Sequence, residues 1–123
     1  MFCNRIKCSW RAERIKIGNR EYYFRSSWEK IYAFYLEDLK KKKEIKNWYY
    51  EPEMFIFHKR KVFPRSYKPD FKIIPNSGNI YFDEVKGWMD ERSKVALQNM
   101  KKYYPEVVIN IIDQVKLKAL GLL

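Results

Sequence analysis

The chain reads as a mixed α/β fold, a central mixed β-sheet flanked by helices. Three observations predict it. Strand-like runs fall before, between and after two amphipathic segments of helical spacing. Two of those runs are joined by a short turn and so pair antiparallel. A continuous apolar run then follows the second helix, where a crossover permits parallel pairing.

The elements follow in order. RIKIGNREYYF alternates about Gly18-Asn19, with Ile15 and Ile17 before the turn and Tyr22 and Phe24 after it, the pattern of a hairpin. Ser26 stands three residues before Glu29, as in a capping box. Trp28, Ile31, Tyr32, Tyr35, Leu36 and Leu39 then recur at helical spacing to about residue 40. The lysine run after it suits the negative end of that helix and equally suits phosphate. Trp48, Tyr50, Met54, Phe55, Ile56 and Phe57 predict one or two strands broken near Pro52.

HKRKVFPRSYK, residues 58–68, holds five Lys or Arg and no acid, and reads as a projecting basic loop. YKPDFKI and IYFDEVKG are strand-like and joined by PNSGN, whose residues favour a turn. From Asp90, Ala96, Leu97, Met100 and Tyr104 share one helical side, opposite Lys94, Gln98 and Lys101, and the helix ends before Pro105. VVINII, residues 107–112, has the length of a buried central strand. The segment from Gln114 reads as a short helix or a partner-facing tail.

Composition bounds the rest. The chain has 123 residues, 46% hydrophobic and 18% aromatic, enough to build a core and to exclude global disorder. One domain over 1–123 is expected, with residues 1–23 as an N-terminal arm or hairpin. No stretch approaches the roughly 20 apolar residues of a membrane span, and no secretory signal is visible. Two cysteines, Cys3 and Cys8, suit a reducing cytoplasm and lack a second ligand pair for zinc. A net charge of +11 favours a polyanionic partner, nucleic acid ahead of membrane.

The chemistry centres on the hairpin. If PNSGN connects the two strands, residues whose numbers sum to 154 face each other, so Ile74 meets Ile80 and Asp70 meets Glu84. Period two then puts Lys68, Asp70 and Lys72 on one face with Phe82, Glu84 and Lys86, and leaves Tyr67, Phe71, Ile73, Tyr81 and Val85 on the reverse, core face. Opposed carboxylates repel unless a cation or a shared proton compensates. Asp70 and Glu84 with a backbone carbonyl, that of Val85, and waters form an all-oxygen set suited to Mg²⁺. Lys86 would sit beside the attacking water or the scissile phosphate. Glu29 has two readings on spacing: a helix cap, or a third carboxylate completing the cluster as the first helix crosses the sheet.

YKPDF followed by EVKG resembles the PD…ExK signature of the restriction-endonuclease-like nuclease superfamily. With FRSSWE at 24–29, YEP at 50–52 and YPEVVINI at 104–111, the chain most resembles the phage endonuclease I family of Holliday-junction resolvases over residues 24–112. The resemblance implies a restriction-endonuclease-like core. It implies Glu29, Asp70, Glu84 and Lys86 as the active site, Mg²⁺ with Mn²⁺ as substitute, and a homodimer acting on branched DNA in the cytoplasm of a phage-infected or bacterial cell. Arg25, Lys59, Arg60, Lys61, Arg65, Lys68, Lys94 and Gln98 are candidate DNA contacts. Trp88 would stack on a distorted base or anchor the second helix against the sheet. The alternatives are a repair, restriction or transposition endonuclease on the same core, and a non-catalytic basic nucleic-acid-binding module.

Overall fold

A computed structural model describes residues 13–59 and 61–123. Cys3, Cys8, the rest of the arm to residue 12, and Arg60 lie outside the described residues. The architecture is mixed α+β. Strands β1 (Glu13–Ile17) and β2 (Arg20–Phe24) form the expected hairpin, with Ile15 opposite Tyr22. Gly18, at φ 62°, supplies the left-handed corner that a side chain would strain.

Helix α1 (Ser27–Lys41) starts where the sequence places it, with the Ser26 hydroxyl accepting the Glu29 N–H at 3.2 Å. The lysine run closes it, and Lys42 pairs with Asp38 at 2.9 Å. Strand β3 (Ile45–Tyr50) follows, then β4 (Phe55–Ile56) and β5 (Ser66–Tyr67), which pair with each other. Next come β6 (Phe71–Pro75), β7 (Tyr81–Val85), α2 (Glu91–Tyr103), β8 (Ile109–Ile112) and the short α3 (Gln114–Ala119). Among the described residues, no helix is long and apolar enough to cross a membrane.

The main sheet runs β3-β6-β7-β8, antiparallel except for the parallel β7–β8 pair. The β6–β7 register follows the sum of 154: Phe71 faces Asp83, Lys72 faces Phe82, and Ile73 faces Tyr81. One face carries the larger core, where Tyr32, Ala33 and Leu36 of α1 and Leu117 of α3 meet Trp48, Phe71, Ile73 and Val85. Full burial of Phe71 and Ile73 contributes roughly 1.5–3 kcal/mol each. Asp83 also lies buried on this face, accepting the Tyr32 hydroxyl at 2.5 Å and Asn110 Nδ2 at 3.1 Å.

On the opposite face, the one assigned to chemistry, Phe57 and Tyr67 pack with Ala96 and Met100 of α2 into a second small core that roofs it in part. Three expectations are corrected. Tyr67 is not on the larger-core face. It belongs to β5, separated from β6 by Lys68-Pro69-Asp70, and the break in the strand breaks the period-two count. Strand β8 is an edge strand and not a central one. Ile109 packs on the second core and Ile112 in the first, while Val108 and Asn110 of the same run are exposed. Trp88 is 77% exposed and so does not anchor α2.

Gly87 has a different reason to be glycine. A Cβ there would stand 2.8 Å from Trp28 Cζ3, below any normal contact distance. Gly87→Ala is expected to destabilise by about 1–3 kcal/mol, as overpacking does, read as a lower midpoint in urea with unchanged slope.

Candidate active site

Asp70 sits at the mouth of β6, and the register brings it against the end of β7. Its Oδ2 accepts the Val85 N–H at 2.9 Å. Glu84 points from β7 to the partly roofed face, where its Oε1 accepts the Tyr67 hydroxyl at 2.8 Å. Its Oε2 lies 3.9 Å from Lys86 Nζ. Both carboxylates are buried. Helix α1 delivers Glu29, whose Oε1 accepts the Tyr50 hydroxyl at 2.6 Å and the Arg25 N–H at 3.2 Å. The capping bond thus reaches one residue beyond the Ser26 cap, and Tyr50 binds the same oxygen.

These groups line one cleft of about 420 Å³. Its wall includes Glu29, Asp70, Glu84, Val85 and Lys86, and its basic rim includes Arg25, Lys68 and Arg92. Glu51, in a left-handed turn at φ 46°, steadies the rim by pairing with Arg25 and, at 3.9 Å, with Lys68. Its N–H also donates to the Asp70 carbonyl at 2.7 Å.

The electrostatics are unbalanced toward negative charge. Burial, then the Glu84 and Glu29 charges, push the Asp70 carboxyl well above the usual range, against the opposing pull of the Val85 N–H and Lys86. Burial also raises Glu84, countered by the Tyr67 hydroxyl, Lys86 and the Asp70 N–H. Tyr50 and Tyr67 are themselves raised, by burial first and then by the carboxylates they serve, and so remain protonated donors.

A hard divalent cation fits this donor set. Two buried carboxylates share one cleft, each with one oxygen committed to a neutral donor. Among the described residues, no group of three or more His, Cys, Asp or Glu side chains is arranged to hold a metal ion. The fit therefore rests on the Asp70–Glu84 pair, with Glu29 held back by Tyr50 and the Arg25 backbone.

The remaining expected DNA contacts divide. Arg25 and Lys68 reach the cleft, whereas Lys59, Lys61, Arg65, Lys94 and Gln98 are exposed but do not line it. Lys94 stands 4.0 Å from Glu91. From α2 it is Arg92 and Ser93 that face the cleft, and Arg92 also lies over the exposed ring of Phe63, 4.8 Å from its centroid. Sequence reasoning missed Arg92, Tyr50 and Tyr67. The YEP motif carried the signal for Tyr50, while Tyr67 looked like an ordinary core aromatic.

No family model, curated protein or solved structure matches the chain.

Tyr67, which lines the cleft, and Tyr50, which does not, orient the carboxylates by donating their hydroxyls to Glu84 and Glu29. Tyr67→Phe is expected to weaken divalent-ion binding roughly 10- to 100-fold, the usual effect of losing a group that orients a ligand, with little change in fold. Titration of the purified variant with Mn²⁺ by calorimetry measures it.

Proposed function

We propose that the chain is a metal-dependent, structure-selective DNA endonuclease that resolves four-way junctions by phosphodiester hydrolysis. The observation that carries this reading is the convergence of Asp70, Glu84 and Lys86 in one cleft with a basic rim. The resemblance of YKPDF…EVKG to the nuclease signature points to the same residues.

In this reading Asp70 and Glu84 would hold Mg²⁺, or Mn²⁺ in its place, with the Val85 carbonyl as a candidate further ligand. The ion would supply charge stabilisation at the phosphate and its leaving oxygen. Lys86 steers the attacking water into line and offsets the negative charge that grows on the phosphate. Glu29, fixed by Tyr50, supports the site through water. Arg25, Lys68 and Arg92 hold the backbone on either side of the scissile bond without reading a base sequence. Symmetric incision of a junction needs two such clefts, which a homodimer would present to opposing strands.

The test is cleavage of end-labelled four-way, flap, nicked and linear duplex DNA with Mg²⁺, Mn²⁺ or EDTA. The reading expects paired cuts near the branch of the four-way junction, none in EDTA and little on linear duplex. Preference for another shape moves the enzyme to a repair, restriction or transposition role. Tight binding with no cutting in either metal leaves a non-catalytic nucleic-acid-binding module.

A further inference from the structure

A second cleft, of about 350 Å³, adjoins the first and shares Arg25, Glu29, Val85 and Lys86 with it. Its remaining wall differs in chemistry: Ser26, Trp28, Gly87, Trp88 and Asp90. The volume lies at the lower end of the range for small-molecule sites, about 300–1,000 Å³. Trp88 is 77% exposed although its indole is among the most apolar surfaces the chain has to hide. Trp28 forms a wall only because residue 87 has no side chain, since a Cβ there would meet the ring at 2.8 Å.

We propose that this cleft is a nucleobase subsite, which receives one unpaired base stacked on Trp88 while the adjoining phosphate rests against Lys86 and Arg25. The assignment deepens the nuclease reading and rests on it for that phosphate. The charge pattern selects a base over a second phosphate. Beside Trp88, the Asp90 carboxyl is held below the usual range by its bonds to Ser93, stays ionised and repels a second anion. Carboxylates beside an aromatic face instead accept the exocyclic amines of a base. An unpaired base has an open face to stack; a base inside a duplex does not. The preference for branched DNA would then come from the unpaired nucleotide at the branch as well as from the backbone path.

The test is a double cycle read by fluorescence anisotropy in EDTA, where no cutting intervenes. The probe is a labelled branched DNA with one unpaired nucleotide at the branch, compared with the same DNA made abasic there. Wild-type protein is expected to lose roughly 5- to 150-fold in affinity when the base is removed, the span of one base–aromatic stack. Trp88→Ala should show the lower affinity on both probes, and Trp88→Phe should retain most of the difference. Equal discrimination of the two probes by Trp88→Ala and wild type overturns the subsite. So does the absence of any discrimination by wild type. The same preparations assayed with Mg²⁺ separate the two readings. Junction cutting without the Trp88 coupling sinks the subsite alone, and coupling without cutting sinks the nuclease reading while the subsite stands.

Discussion

Asp70→Asn and Glu84→Gln are each expected to lower junction cleavage roughly a thousandfold or more while leaving junction binding largely in place. The size follows from the role assigned to the pair. A metal ion at the phosphate is worth several kcal/mol in the transition state, and each ~1.4 kcal/mol is a factor of ten in rate. Binding is expected to survive because the cations proposed to hold the backbone, Arg25, Lys68 and Arg92, stand on the rim and are untouched. Both changes are nearly isosteric, and both keep an amide oxygen able to accept the Val85 N–H or the Tyr67 hydroxyl. Single-turnover cleavage beside anisotropy in Ca²⁺ or EDTA separates the two effects. Cleavage within tenfold of wild type would reject the site, and parallel loss of binding and cutting would reject the division of labour between floor and rim.

The metal-free protein is expected to lose stability as pH rises above the ordinary carboxylate range, and Asp70→Asn is expected to be more stable than wild type at pH 8. The sign comes from the raised carboxyls. In the unfolded chain Asp and Glu release their protons near pH 4, whereas the folded protein holds those of Asp70 and Glu84 to higher pH. Over that window the native state binds more protons than the unfolded one, so unfolding becomes easier as pH increases. The stabilising term is fully present below the ordinary carboxylate range and is gone once pH has passed through the raised values. Asp83, raised by its own burial, adds a slope of the same sign, whereas the lowered Asp90 acts only below the ordinary carboxylate range and leaves this window untouched. The informative quantity is therefore the difference between variant and wild type. Mg²⁺ should reverse it, raising the wild-type melting temperature at pH 8 by several degrees and leaving Asp70→Asn nearly unmoved. Thermal melts in EDTA and in Mg²⁺ across this range decide it; a wild-type stability that rises with pH in EDTA would contradict the buried pair.

How much of this was legible in the sequence depends on how local the determinant is. The β6–β7 register was readable because a five-residue turn fixes it, and from it came the approach of Asp70 to Glu84. The Ser26 cap and the span of α1 were readable from the spacing of serine, glutamate and the apolar positions. Alternation misplaces Tyr67 because it runs through Pro69, where the strand stops. An apolar run misplaces β8 because it says nothing about neighbours on either edge. Arg92 escaped notice because the turn after Gly87 sets which side of α2 looks into the cleft, and helical periodicity alone pointed to Lys94 and Gln98 instead. The two tyrosines that orient the carboxylates were hidden by their own amphipathic nature: ring in the core, hydroxyl on an acid.

The Asp83 bonds to Tyr32 and Asn110 also guard the placement of Glu84 against its own neighbour. Adjacent acids on β7 point to opposite faces, so a slip of the strand by one position would drive Glu84 into the aromatic layer beneath α1 and turn Asp83, a methylene shorter, toward the cleft. Because Tyr32 and Asn110 reach Asp83 from a helix and from the parallel neighbour strand, they act as a two-point latch that makes the misaligned sheet lose buried hydrogen bonds as well as packing.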